Sequence, residues 1–331
     1  MAERSNHLFP WMQSLFEGLI ERNQAKQLPH AILFVGEWLE DTEQFLTRLT
    51  RALLCQSADE KPCGQCKSCL LFQAGSHPDL LNVTVEEGAK RIKIDQVRAV
   101  IEFDTKKPQI GQIKVIAMTA IETMNANSAN ALLKCLEEPS PNTLLLLQSN
   151  DIHQVLPTIL SRCQKQALPK PSLEEAHLWL SKSVSEKAHR DRLLSFTDGN
   201  PLKAQQYYED NRLLALDNYA DQLIRLMQGE VRIVELGEKI IKDNPNAWLD
   251  YLQTLCITLS KVSAGGANDQ QLSRALVELT AKEKFSELLY PFFDCVNEAK
   301  AETLTQSNPN MQLLIESLLY RWAAFTRKLL R

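Results

Sequence analysis

At 331 residues the chain has room for two or three domains, and its 44% hydrophobic and 24% charged residues match an ordinary soluble globular protein. A net charge of −4, from 37 basic and 41 acidic residues, gives no overall basic excess that would call for a nucleic-acid partner, although a local patch stays open. No apolar run reaches the length of a membrane span, and the opening MAERSNHLFPWM lacks a basic segment followed by an apolar stretch, so a cytoplasmic, reducing location with no membrane partner is expected.

In chain order, residues 11–28 carry Trp11, Leu15, Phe16, Leu19 and Ile20 at helical spacing, with Pro29 as the expected stop. The run Ala31-Ile32-Leu33-Phe34-Val35 follows, closed by Gly36, and suits a strand buried on both faces. Phe45, Leu49, Leu53 and Leu54 mark a helix. Residues 79–85 and 113–118 read as strands, residues 126–136 as a helix stopped by Pro139, and residues 143–148 as a further buried strand. This alternation predicts a parallel sheet covered by helices. Pro169 and Pro171 punctuate a linker, and residues 172–207 read as a small helical unit with its main turn at Asp198-Gly199-Asn200-Pro201. Beyond 208 the patterns are helical, through 211–228, 231–242, 247–262, 269–280 and 310–330, with breaks at Gly265-Gly266 and Asn308-Pro309. Apolar stripes run from Phe285 to Cys295 and from Leu313 to Leu330, and Arg327 to Arg331 makes a basic end.

Four of the eight cysteines, Cys55, Cys63, Cys66 and Cys69, fall close together. Thiolates two residues apart can close on one ion because the backbone turns back between them, and Gly64 helps that turn. Four thiolates with no oxygen ligand select Zn²⁺ in a closed tetrahedral site, which leaves no position for water and so predicts a structural zinc. His77, in His77-Pro78-Asp79, is assigned to the loop entering the next strand and not to the metal.

A phosphate-binding loop would follow the first buried strand, with glycines to expose backbone N–H groups, a lysine for the phosphates and a Ser or Thr for Mg²⁺. Here only Gly36 matches: Thr42 stands where the lysine belongs and Glu43 where the hydroxyl belongs, and Glu37, Glu40 and Asp41 add charges that repel phosphate. The strand at 114–118 should end in carboxylates for Mg²⁺ and water; it ends in Thr119-Ala120, with Glu122 two residues late. No functional ATP site is expected.

Residues 130–139, NALLKCLEEP, resemble the NALLKxLEEP signature of clamp-loader AAA+ proteins, and residues 156–163, LPTILSRC, resemble their LPTIxSRC segment. Leu28-Pro29-His30-Ala31, His77-Pro78-Asp79-Leu80 and Ile94-Asp95-Gln96-Val97-Arg98 match further family positions. The cysteine module also sits where bacterial members carry zinc. The resemblance covers roughly residues 8–205; the rest agrees in size and class only.

The resemblance implies a RecA-like AAA+ parallel-sheet domain with an inserted zinc module (1–165, module 55–69), a small helical lid domain (166–207) and a helical collar domain for oligomerisation (208–331). From Arg162 alone, an exposed arginine after a helix is the plainer reading. In Ser161-Arg162-Cys163, the resemblance makes it an arginine finger acting in trans, Ser161 shaping the turn and Cys163 buried. The family's nucleotide-sensing arginine would fall at Leu202, beside Lys203, and its strand-end sensor at Gln148-Ser149-Asn150, whose polar groups can serve as loop hydrogen-bonders. The implied role is a non-hydrolysing clamp-loader subunit of the bacterial replicative DNA polymerase holoenzyme. Its implied partners are the motor ATPase (gamma/tau) and delta subunits, the sliding clamp and, through the complex, primed DNA. An active ATPase motor would need the missing lysine and carboxylates. A stand-alone zinc-containing DNA-binding protein sits poorly with the charge of −4.

Overall fold

The computed structural model describes residues 8–37, 39–57, 61–210, 212–266, 272–304 and 309–330. Asn211 at the start of a predicted helix, residues 269–271 in another, Asn308 of the predicted break and Arg331 of the basic end lie outside the described residues. The chain forms two compact units, one up to Pro171 and one from Ser172.

The first unit runs α1 (Pro10–Gln24), β1 (Ala31–Val35), α2 (Glu40–Leu54), α3 (Lys67–Gln73), β2 (Leu80–Val83), α4 (Ile94–Thr105), β3 (Lys114–Met118), α5 (Ala126–Glu137), β4 (Thr143–Ser149), α6 (Pro157–Leu160) and β5 (Gln164–Ala167). All strand pairings are parallel, in the order β2-β3-β4-β1-β5. β1 lies between β4 and β5, with Leu33 opposite Leu147 on one side and Lys165 on the other. Its residues Ala31 to Phe34 are buried, as a strand with neighbours on both edges and helices on both faces requires. The parallel sheet covered by helices that the sequence predicts is the architecture found.

Two of the departures from the sequence reading have a plain physical reason. α1 stops at Gln24 and does not reach Pro29. Lys26 adopts a left-handed φ of 56°, and Lys26 N and Gln27 N turn back to Asn23 O and Arg22 O, which closes the helix before the proline acts. β5, sequence QKQA, is an edge strand absent from the sequence reading. An edge strand exposes one side of its ladder and one face, so polar residues are tolerated and the apolar pattern disappears.

Helices α4 and α5 pack on the sheet through Val97, Val100, Leu132 and Leu136 against Ile116 and Leu145. Lys114, at the start of β3, is buried, with Nζ 3.0 Å from Phe103 O and 3.8 Å from Asp104 Oδ1. Its ammonium therefore caps the carbonyls at the end of α4.

The second unit is helical: α7 (Leu173–Leu180), α8 (Lys187–Phe196), α9 (Pro201–Glu209), α10 (Arg212–Met227), α11 (Ile233–Asp243), α12 (Pro245–Ser263), α13 (Arg274–Thr280), α14 (Phe285–Leu304) and α15 (Met311–Leu330). A small core of Ala176, Leu180, Leu193, Leu194 and Ala204 joins α7 to α9. A larger one gathers α10 to α15 around Trp248 and Trp322. Trp322 packs on Phe292 at 5.5 Å between ring centroids, and its indole N–H donates to Leu223 O at 3.2 Å. The apolar stripes of α14 and α15 thus face the core through Phe285, Leu289, Phe292, Ile315, Leu319 and Trp322, while Leu313 and Leu330 at the ends of the second stripe are exposed. No described helix is long and apolar enough to cross a membrane.

Candidate functional site

The carboxyl ends of β1, β3 and β4 meet where a parallel sheet of this kind presents ligands. Here that edge is held by the chain's own side chains. Gln148 is fully buried. Its Nε2 donates to Gly36 O at 2.8 Å and to Asn150 Oδ1 at 3.2 Å, and its Oε1 accepts from Ala120 N at 3.1 Å. One amide therefore ties together the ends of three strands. Ala120 sits in the left-handed region at φ 55°, and Asn150 Nδ2 donates to Glu122 Oε1 at 2.9 Å.

The loop after β1 is filled in the same way. Thr42 is buried and its hydroxyl donates to Glu37 O at 2.9 Å. Asp41 accepts the indole N–H of Trp11 at 2.8 Å and the backbone N–H of Thr42 at 2.8 Å. Burial nevertheless holds the Asp41 carboxyl above the usual carboxylate range. Glu40, Asp41 and Glu43 occupy the first turn of α2, where a phosphate would seek the helix N-terminus. Gly36 has a packing reason of its own, because a Cβ there would lie 2.9 Å from Leu168 beside β5. At α9, Asn200 caps the helix by accepting from Leu202 N and Lys203 N.

Arg162 follows the short helix α6, with Ser161 at its C-cap. Its Nη1 donates to Thr158 O at 2.9 Å and to Ser161 Oγ at 3.2 Å, and its Nη2 lies 2.5 Å from Glu137 Oε1 at the end of α5. The Arg162 side chain keeps about a third of its surface in water, at 33% exposed. Cys163 is buried, and burial pushes its thiol up to about 11, which removes it as a nucleophile near neutral pH.

The cysteine module spans the end of α2 and the start of α3. Cys55 is the C-cap of α2, and Cys66 caps α3 by accepting from Cys69 N. Gly64 makes the intervening turn at φ 79°. The sulfurs of Cys55, Cys63, Cys66 and Cys69 all lie within 4.8 Å of one another, with Cys55 Sγ and Cys66 Sγ 3.9 Å apart. A tetrahedral ion with Zn–S bonds of about 2.3 Å would space its sulfurs about 3.8 Å apart, so the four thiols fit a metal. Backbone N–H groups of Ser57 and Cys63 point at Cys55 Sγ, and that of Cys66 at Cys63 Sγ, at 3.4 to 3.5 Å. Burial works against ionisation of Cys66, but N–H donors from Cys69 and Gln56 outweigh it and bring the thiol down to about 6, while burial pushes Cys69 up to about 12.

His77 stands outside this group of sulfurs. It is buried, Ser68 Oγ donates to Leu54 O at 2.7 Å, and His77 Nε2 lies 2.8 Å from the same hydroxyl. Because the hydroxyl proton is spent on Leu54, His77 Nε2 is the donor to Ser68, and Nδ1 accepts from Asp79 N at 3.1 Å. Asp79 in turn accepts from the backbone N–H groups of Gln109, Ile110 and Gly111. The module is thereby joined to the entry of β2 and to the loop before β3.

A relative of full length decides the family. The DNA polymerase III subunit delta' of Pseudomonas aeruginosa is 31% identical, over 96% of this chain and 98% of that protein. The chain belongs to the DNA polymerase III subunit delta' family. The family's Escherichia coli member is 29% identical over 95% of this chain and 94% of its own length. Family models described as DNA polymerase III, delta subunit, and as its C-terminal part match residues 11–172 and 211–324. A gamma subunit-related protein of Thermotoga maritima superposes with a TM-score of 0.47 at 18% identity, covering 96% of this chain and 100% of that one.

Within this family member, the structure places Cys55, Cys63, Cys66 and Cys69 together and sets Arg162 apart from them, on the turn after α6. Sequence reasoning missed the partners. Glu137 lies inside the NALLKCLEEP segment but carries no sign that its carboxylate reaches Arg162. Gln148 is, in the sequence, a polar strand end that carries no signal of bridging three strands.

Proposed function

We propose that this chain is the non-hydrolysing subunit of a bacterial clamp loader. It supplies Arg162 in trans to the ATP site of a neighbouring motor subunit and so helps place the sliding clamp on primed DNA. The observation that carries this reading is a contrast within one sheet. The edge where a nucleotide would sit is occupied by Gln148, Thr42 and Asp41, whereas the Arg162 side chain is partly open to solvent. A planar cation that never loses its charge suits a transferring phosphoryl group, and fingers supplied in trans are worth about 10³–10⁵ in rate.

In this reading the first unit forms the AAA+ domain, its bound moved from 165 to Pro171 because β5, Gln164–Ala167, pairs with β1; the helices up to residue 207 form the lid and 208–331 the collar shared with other subunits. The partners are the motor ATPase (gamma/tau) and delta subunits, the clamp, and DNA through the complex. The cysteines Cys55, Cys63, Cys66 and Cys69 hold a structural Zn²⁺ that ties the ends of α2 and α3 together; bound there, the ion supplies crosslinking and no reaction chemistry. The test is reconstitution with the motor and delta subunits. Arg162→Ala should assemble normally but lower the ATPase stimulated by clamp and primed DNA; unchanged ATPase and clamp loading would overturn the reading. Micromolar ATP binding with turnover by the isolated chain would make it a motor instead.

A further inference from the structure

Arg51 lies in the last turn of α2, four residues before the first cysteine of the module, and only 4% of it is exposed. Its Nη2 comes within 3.5 Å of the point where a side chain would begin at Gly64, inside the Cys63-Gly64-Gln65-Cys66 turn. Gly64 thus serves twice: it permits the left-handed φ of 79° and leaves room for the guanidinium. An arginine stays charged at every pH at which the protein is folded. A full positive charge is therefore withdrawn from water against the metal-binding turn. Four thiolates on one divalent zinc leave two negative charges in the same place. A cation held beside an anionic cluster lowers the cost of keeping that cluster charged away from water.

We propose that Arg51 is a built-in countercharge of the zinc–thiolate group, and that it raises zinc affinity by offsetting part of the negative charge of the loaded site. This rests on the zinc reading given above. Partners just outside the ligands commonly change metal affinity by about 10–100-fold, and a buried cation beside an anionic cluster belongs to that class.

The experiment uses the full chain. Zinc content and Co²⁺ absorption of the unaltered protein come first; a protein that binds neither ion ends the zinc reading, and this inference with it. Given a loaded protein, zinc affinity is measured by chelator competition for Arg51→Met, which keeps the aliphatic stem, and for Arg51→Lys, which keeps the charge. The expected result is a loss of about 10–100-fold in affinity for Arg51→Met and a much smaller loss for Arg51→Lys. Thermal unfolding of the reduced, zinc-free forms should show Arg51→Met no less stable than the unaltered chain. Equal zinc affinity in Arg51→Met, or the same loss of melting temperature with and without zinc, would overturn the proposal and leave Arg51 a packing residue. If Arg51→Met does not fold, an affinity for Arg51→Lys as weak as that of Cys69→Ser would count equally against it.

Discussion

Arg162 Nη2 lies 2.5 Å from Glu137 Oε1, so the guanidinium of the SRC turn is held by a carboxylate of its own subunit, from the end of the NALLKCLEEP helix. Glu137 is about half exposed, at 48%, and a pair this wet contributes roughly 0–1 kcal/mol to stability. It can therefore be exchanged for a stronger anion, such as a phosphoryl group, at little cost.

Arg162→Ala should leave the urea midpoint nearly unchanged and reduce the DNA-stimulated ATPase of the reconstituted complex by about tenfold or more. Glu137→Gln should leave the ATPase intact or raise it, because the phosphate no longer competes with a carboxylate. Were Glu137→Gln to lose as much ATPase as Arg162→Ala, Glu137 would be a positioning residue and the competition idea would fail.

Gln148→Ala strands Gly36 O and Ala120 N, both of which this amide satisfies. Leaving buried polar groups without partners costs about 1–3 kcal/mol each. For two groups that are only partly buried the expected loss is at the low end of that range, about 2 kcal/mol in urea unfolding. A change below about 0.5 kcal/mol would mean that water replaces the amide without penalty.

Burial holds the His77 imidazole below its ordinary pKa of 6.5, with Asp79 opposing that shift. Protonation would also set an N–H against the N–H of Asp79. A depressed folded pKa means that the unfolded chain takes up its proton first as the pH falls. The stability contributed by neutral His77 is thus complete above pH 6.5 and declines as pH falls from 6.5 through the folded value. His77→Gln should flatten the fall in unfolding free energy between neutral pH and about pH 5. An identical slope in the two proteins would remove His77 from the account.

Chelation of metal from the reduced protein should lower the melting temperature and raise amide exchange first in α3 and at the end of α2, where the four sulfurs converge. A melting curve and exchange pattern indifferent to chelator would show that these cysteines are held by packing alone.

The parallel sheet was legible because each buried strand leaves a run such as AILFV or TLLLLQ that only helices on both faces can cover. The cysteine module was legible because turn geometry links ligand spacing directly to the backbone between Cys63 and Cys66. The absence of a lysine and a hydroxyl at Thr42 and Glu43 and the SRC segment at Arg162 are likewise local statements, readable from residue type and position. Only the tertiary structure decided that β5 completes the sheet, since an edge strand of polar residues draws its stability from the ladder with β1 and not from its own apolar pattern. Only it showed that Gln148 bridges the ends of β1, β3 and β4, that Glu137 meets Arg162, and that Arg51 is buried against the Cys63–Cys66 turn. Hydrogen bonds and charge pairs between residues far apart in the chain depend on how strands and helices are brought side by side, and a one-dimensional pattern of residue types does not encode that distance.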